Sequence, residues 1–345
     1  MGLGRYIARK TVYTILLLFV IVAFNFVLFQ ILPFVTACPN QTISECASRL
    51  YAPEQPPRGV QNVTEWYQVI RARIILAYGF DKPIGVRFLD YYKNMFTFNF
   101  GYNLGDILGG TVLGTIEART PFTLLLLGSS TVAAFVIGIG LGVVASAKRG
   151  KVLDVSSLAV LLFLNSLPVF FLGGMLEIIQ LGTTGTFYKP WGAAILGVHG
   201  TWPIYEATLR ALFLPFLTLT LVGIGGVFLT QRAVMIDTLA EDYIIMARAK
   251  GVPERTVLYK HALRNAILPI VTAFALSIGF ILSGAIITET VFQWNGLGYA
   301  IYLSVVANDF PFAQAMFFII SVMVLIAIFC AEVAYGFLDP RVSRT

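Results

Sequence analysis

The sequence predicts an all-α polytopic membrane protein, and three observations carry that expectation. Of 345 residues, 57% are hydrophobic and only 12% charged, against about a quarter charged in soluble domains, and mean hydropathy is +0.80. The apolar residues gather in six runs, near 12–32, 122–145, 155–181, 211–230, 267–290 and 312–337. Each is close to or above the about 20 residues that a helix needs to cross roughly 30 Å of hydrocarbon. Lys and Arg gather in alternate connections between the runs. Membrane lipid is therefore the chain's first partner.

The first run is too long for a secretory signal, and no small-x-small site follows Gln30-Ile31-Leu32-Pro33, so it is expected to stay as an anchor. Arg5, Arg9 and Lys10 precede it; Lys148, Arg149 and Lys151 separate the second and third runs. Arg232, Arg248, Lys250, Arg255, Lys260 and Arg264 separate the fourth and fifth, and Arg341 and Arg344 close the chain. Short basic connections are retained on the cytoplasmic side, which places both termini in the cytoplasm of a multi-pass cell-membrane protein. The opposite connections are poor in Lys and Arg, with Lys189 and Arg210 in one and none between Gln293 and Pro311. The long connection 34–121 is read as extracellular, because long segments cross largely regardless of charge.

That connection has two textures. Residues 36–61 are rich in Pro, Gln, Asn and Ser, whereas 64–78 place Trp66, Ile70, Ile74 and Tyr78 on one helical face. Residues 83–114, studded with Phe, Tyr and Gly, suit short interfacial helices or a cap. Cys38 and Cys46 lie there beside the sequons at Asn40 and Asn62. An oxidising exterior suits a Cys38–Cys46 disulfide with glycans nearby; free thiols and chance sequons are the alternative. Cys330, in the last run, is expected only to pack.

Within the runs, Gly138, Gly140 and Gly142, and later Gly223, Gly225 and Gly226, form small faces that let helices approach closely. Pro168, in Asn165-Ser166-Leu167-Pro168, interrupts the third run and frees backbone carbonyls that neighbours or a water-lined cavity must satisfy. Asn165, Ser166, Pro168, Glu177, Ser283 and Glu289 are therefore candidates for a solute pathway, since polar groups at membrane depth are costly. Pairing inside the bundle, or a wet position near an interface, is the structural alternative for Glu177, Glu289 and also Glu332.

Catalysis finds no foothold. The Gly150-Lys151 pair is followed by Val152 and lacks the upstream glycine of a phosphate-binding loop. His199 and His261 fall on opposite sides of the membrane in this topology, so they cannot share a metal or form a dyad. The chain is expected to be no enzyme, with no metal and no cofactor of its own.

One charged stretch stands apart. Residues 239–250 read as a short helix, Gly251 suits a left-handed cap, and Pro253-Glu254 starts a second helix with an acidic residue near its positive end. Acidic Asp237, Glu241, Asp242 and Glu254 nearly cancel the bases, which removes the footprint that nucleic acid requires. A plain solvated loop needs only a few residues. A docking element for a cytoplasmic partner, with Val257, Leu258 and Leu263 as an apolar ridge, accounts better for the length.

Asp242-Tyr243, Ala247-Arg248-Ala249-Lys250-Gly251, His261-Ala262-Leu263-Arg264-Asn265-Ala266 and Leu268-Pro269 together resemble the cytoplasmic coupling signature of binding-protein-dependent ABC importer permeases. The likeness extends over most of the chain, through Arg5-Tyr6-Ile7, Phe80-Asp81-Lys82-Pro83, Ser166-Leu167-Pro168, Glu289-Thr290-Val291-Phe292 with Gly296-Leu297-Gly298, and Leu338-Asp339-Pro340-Arg341. It is similar to the first, or B-type, permease of the dipeptide/oligopeptide group. The resemblance implies six transmembrane helices of the type I importer kind, to which this chain adds an enlarged extracellular loop after the first helix. It implies a second homologous permease as heterodimer partner, two ATPase subunits that hold ATP and magnesium, and an extracellular solute-binding protein. Tyr243, Ala247, Arg248, Ala249, Lys250, Gly251, Val257 and Leu258 become the ATPase-coupling residues. The organisation is then 1–33 (cytoplasmic start and first helix), 34–121 (outer loop or cap), 122–338 (five-helix core, coupling segment 237–266) and 339–345 (cytoplasmic tail). Where the family usually continues Leu-Pro with Gly-Asp-Pro, this chain has Phe34-Val35-Thr36, so the outer loop departs from the pattern. The implied cargo is di- or oligopeptide, with oligosaccharide as the alternative within the same machinery. A stand-alone channel or secondary transporter is the alternative of another class, disfavoured by the absence of a visible internal repeat.

Peptide mapping without reductant is expected to recover residues 38 and 46 in one linked pair; two alkylatable thiols in freshly isolated protein would refute the pairing.

Overall fold

The computed structural model describes residues 3–33, 46, 62–102, 110–281, 285–307 and 309–338. In chain order the main helices are α1 (Leu3–Gln30), α2 (Val63–Tyr78), α3 (Ile84–Phe96) and α4 (Val112–Ala147, widened to a π turn over Leu124–Gly128). They continue with α5 (Val152–Ser166), α6 (Val169–Thr184), α7 (Thr201–Leu239), α8 (Asp242–Ala249) and α9 (Glu254–Ala266, a π turn over Val257–Ala262). The last are α10 (Leu268–Phe280), α11 (Ile286–Val291), α12 (Leu297–Val306) and α13 (Phe310–Leu338). The one β-type pairing among the described residues is an isolated bridge between Tyr102 and Thr111.

Helices α1, α4, α7 and α13 are each long and apolar enough to cross a membrane; counting the bent pairs α5/α6 and α9/α10 as one span apiece brings the total to six. The bends are 105° and 51°. The third run is thus not one helix. Leu167, which precedes proline, is extended with ψ 134°, and Pro168 follows at ψ 134°, because the proline ring disfavours helical geometry in the residue before it. The fifth run is shorter than expected: α10 ends at Phe280, and Ala285 (φ −93°, ψ 71°) interrupts the helix before α11. Ser283 lies outside the described residues. The fourth run is longer, because hydropathy marks only its greasy middle; the 39-residue α7 continues through polar ends that carry Glu206 and Arg210 at one side and Gln231 and Arg232 at the other. The expected helix 239–250 starts only at Asp242, after Leu239 has closed α7 and Glu241 has turned extended at ψ 145°.

In the outer connection, α2 forms as its periodicity predicts. Asn62 caps it, the side-chain oxygen accepting from the Glu65 backbone N–H and the amide donating to the Glu65 carboxylate at 3.2 Å. The same residue is one of the two sequon asparagines. Asn40 and Cys38 lie outside the described residues, so the expected Cys38–Cys46 pairing does too; Cys46 is buried and disulfide-bonded, and Cys330 is free.

The chain divides into two compact units, Met1–Pro121 with Tyr299–Thr345, and Phe122–Gly298. In the first, α13 packs along α1. Asn25 donates to the Gln314 carbonyl at 3.1 Å, Gln30 donates to the Gln314 side-chain oxygen at 3.2 Å, and Arg87 of α3 donates to Gln30 at 3.1 Å. Such bonds hold apolar helices together where burial from water gives no drive.

In the second unit the main contact is α7 against α4 from Phe122 onward. An added Cβ at Gly138 would sit 2.8 Å from the Val227 Cβ, and one at Gly142 2.8 Å from the Gln231 Cβ. Gly223 and Gly225 lie as close to Ala134 and Asn165, at 2.9 and 2.7 Å. Gly140 and Gly226 face open space. The glycine faces thus join helices of this chain at four positions, not at all six.

Gly142→Val is expected to cost about 1–3 kcal/mol through overpacking and to lower the Tm of the purified protein, whereas Gly140→Ala leaves it unchanged. Equal Tm values for both variants would show that the crossing tolerates side chains.

Candidate functional site

The charged stretch folds into an elbow. Helix α8 carries Asp242 in its first turn and Arg248 in its last, the arrangement its dipole favours. Gly251 has φ +74°; its N–H bonds the Arg248 carbonyl at 2.9 Å, and the Val252 N–H bonds the Ala247 carbonyl at 3.3 Å. These two bonds, with Ala247 and Val252 both packed on one apolar cluster, make a Schellman cap, which needs the left-handed residue that glycine supplies without strain. Across the turn Arg248 grips Glu254 in a two-pronged pair at 2.7 and 3.2 Å. Asn265 of α9 donates to the Tyr243 hydroxyl of α8 at 2.8 Å.

Ile244, Val257, Ala262 and Ala266 turn inward and share a buried cluster with Val143 of α4 and Met235 of α7. Val257 is fully buried, and Leu258 and Leu263 are half-buried against the same cluster. The expected apolar ridge is therefore not an outward surface; it seats the elbow on the helices above. The outward face is different. Tyr243, Ile245, Met246 and Tyr259 are exposed there, beside Arg248, Ala249, Lys250 and Gly251. Arg255, Thr256, Tyr259 and Lys260 line a shallow depression on it. Hydropathy could not separate the two faces, because both carry large apolar residues.

Beside the elbow lies an ion pair that sequence reasoning missed. Arg232 of α7 donates to both Asp154 oxygens, at 2.6 and 2.8 Å, and the Gly150 N–H donates to Asp154 at 2.8 Å. The Asp154 side chain is almost fully buried. The bridge fastens the start of α5 to α7, and its only sequence signal is an acidic residue just after the Arg149-Gly150-Lys151 turn. Gln231, its neighbour, is fully buried.

The pathway candidates separate. Glu289 has no exposed surface; it accepts a hydrogen bond from Thr123 at 3.1 Å, whose hydroxyl in turn accepts the Leu297 N–H at 2.7 Å. A Cβ at Gly296 would collide with its carboxylate, and one at Gly298 with the Ile286 backbone, at 2.9 Å. Glu289, on α11, therefore ties that helix to Thr123, and Trp294 beside it donates to the Phe122 carbonyl at 2.9 Å. Asn165, Ser166 and Pro168 lie exposed at the α5/α6 bend, with the Asn165 amide donating to the Val222 carbonyl at 3.2 Å. Glu177 is half-buried on α6, electrostatically close to Tyr188, whose hydroxyl donates to the Ala211 carbonyl at 2.8 Å.

Among the described residues, no three or more of His, Cys, Asp and Glu converge as a metal site would require. Spans and bent pairs define a multi-pass helical membrane protein. The chain belongs to the family described as binding-protein-dependent transport system inner membrane components, whose model matches residues 138–344. Its relatives include the oligopeptide transport system permease protein AppB of Bacillus subtilis (strain 168), 33% identical over 80% of this chain and 86% of that protein. The di/tripeptide transport system permease protein DppB of Pseudomonas aeruginosa (strain UCBPP-PA14) is 30% identical over 77% and 83%. The dipeptide transport system permease protein DppB of Escherichia coli (strain K12) is 29% identical over 79% and 85%.

Gly251→Val is expected to strain the cap by about 1–2 kcal/mol, read as a lower Tm, while Gly251→Asn, which tolerates φ > 0, loses less. Equal loss from both would mean that the cap is not what the glycine serves.

Proposed function

We propose that this chain is a permease subunit of an importer for di- and oligopeptides, in which it pairs with a second permease and takes cargo from an extracellular binding protein. Two ATPase subunits on the cytoplasmic side supply the energy and hold the ATP and magnesium; this chain contributes no catalytic group. The observation that carries the reading is the joint occurrence of the family match with peptide-permease relatives and an elbow whose inner face is seated on α4 and α7 and whose outer face exposes large apolar side chains.

In this reading both termini and the elbow are cytoplasmic, and the outer face of the elbow enters the ATPase. Ile245, Met246 and Tyr259 supply apolar contact, and Arg255 and Lys260 supply charge. Tyr243, Ala247, Arg248, Ala249, Lys250 and Gly251 hold the shape, with Val257 and Leu258 beneath. Asn165, Ser166, Pro168 and Glu177 line the route of the solute. An ionisable group on an otherwise apolar half-span is expensive facing lipid, so Glu177 is best accommodated facing a water-filled cavity or a helix of the second permease.

The test uses the complex reconstituted with its partners. Met246→Glu with Tyr259→Glu is expected to leave insertion and permease pairing intact and to reduce ATP-coupled peptide uptake about tenfold or more, because an unpaired charge forced into an interface is costly. Uptake at the wild-type ratio of solute to ATP would return the elbow to the status of a solvated loop, and uptake without ATP would refute the importer reading itself.

A further inference from the structure

We infer that residues 84–100 are not a loop in water but a re-entrant helix and turn that enter the membrane beside α1, with the outward face of α3 against lipid acyl chains. The observation is a match of levels. Along α1, Arg87 bonds Gln30; Phe88 and Tyr91 pack on Phe26 at 5.2 and 5.4 Å; Tyr92 and Phe96 pack on Phe19, each at 5.8 Å. Helix α3 therefore descends along α1, towards its middle. From Gln30 to Phe19 is eleven residues of α1, about 16 Å at 1.5 Å per residue, half the thickness of about 30 Å of hydrocarbon. Helix α13 gives a comparable depth of about 12 Å. Phe96, Phe98 and Phe100 all meet Phe318, at 6.1, 6.4 and 6.1 Å, and Phe318 lies two turns inside the start of that span.

The segment is built for such a place. Its deep, C-terminal backbone end is satisfied internally, as hydrocarbon requires: the N–H groups of Thr97, Phe98 and Asn99 bond the carbonyls of Lys93, Met95 and Asn94 at 3.0, 3.3 and 2.9 Å. The Thr97 hydroxyl also returns to Lys93, at 2.8 Å. Arg87, Tyr91 and Met95 form the buried face. On the opposite side Val86 is 44% exposed, Leu89 68% and Phe96 42%, a face without purpose in water. It continues the exposed surface of α1, where Phe19, Val20, Phe24 and Val27 must lie in lipid for that helix to span. Lys82 pairs with Asp90 at 2.7 Å, which neutralises the carboxylate halfway along α3. Lys93 alone is deeper, and its side chain leans towards the helix N-terminus, the direction in which a lysine snorkels to headgroups.

Spin labels placed one at a time by Ile84→Cys, Leu89→Cys and Phe96→Cys, in a Cys330→Ser background without reductant, test this in lipid nanodiscs. Collision with dissolved oxygen is expected to exceed collision with an aqueous nickel complex at Leu89, the ratio rising from position 84 to 96. Nickel dominance at Leu89 would place α3 in water, and low collision with both would mean that protein covers it; either result overturns the inference. Should Phe96→Cys fail to fold, the exposed Leu89 position decides alone.

Discussion

The second unit depends on how closely α7 approaches α4. Two glycines one helical turn apart, Gly138 and Gly142, leave room for Val227 and Gln231 and nothing more, so the two axes lie as near as side chains allow. In a membrane this matters more than in water, since lipid tails are as apolar as leucine and only packing and hydrogen bonds favour helix association. Apolar clusters then follow the pair along its length. Leu126, Leu212 and Trp294 lie at one end, Ala134, Ile224 and Phe228 in the middle, and Val143 with Met235 at the other.

That last cluster is also the seat of the elbow, so one helix contact fixes both the unit's core and the position of α8 and α9. Polar ties sit at the two ends of the same pair. Asp154 with Arg232 fastens α5 near the elbow, and Glu289 with Thr123 fastens α11 at the far end. Each carboxylate is buried with its partner supplied, the condition under which a charge is tolerated away from water. Because removing one partner strands the other, these ties hold register more than they add stability.

Much of this was legible in the sequence. Composition and Lys/Arg spacing suffice for a multi-span helical chain, Gly251 for the cap, and Leu167-Pro168 for a break. What escaped did so for physical reasons. Hydropathy measures how greasy a stretch is, not whether its helix continues; α7 therefore outruns its apolar run, while α10 stops short of the end of its own. The inward set of Val257 and Leu258 was unreadable because a π turn shifts the side-chain register through residues 257–262. Asp154 was silent because its partner lies 78 residues away, and the Thr123–Glu289 tie was silent for the same reason, across 166 residues. The coupling assignment came from resemblance; the residues alone offered only a docking element.

The arrangement also bears on how a push at the elbow would travel if the proposed coupling holds. The Arg248–Glu254 pair is exposed, and screening makes such a pair weak, so the elbow is held to α7 mainly by its apolar seat and the Schellman cap. A seat of this kind does not deform continuously, because close-packed interiors shift between discrete packings. Displacement of α8 and α9 would thus carry Met235 with it, and the 39-residue α7 runs unbroken from there to the cluster around Trp294. The place where the same unit can yield is the α5/α6 bend, where Asn165 and Pro168 are exposed and the backbone has already left the helix. A rigid lever joined to α5 by Asp154–Arg232, with a pre-broken helix above that joint, localises motion at the exposed bend, on the wall that carries Glu177.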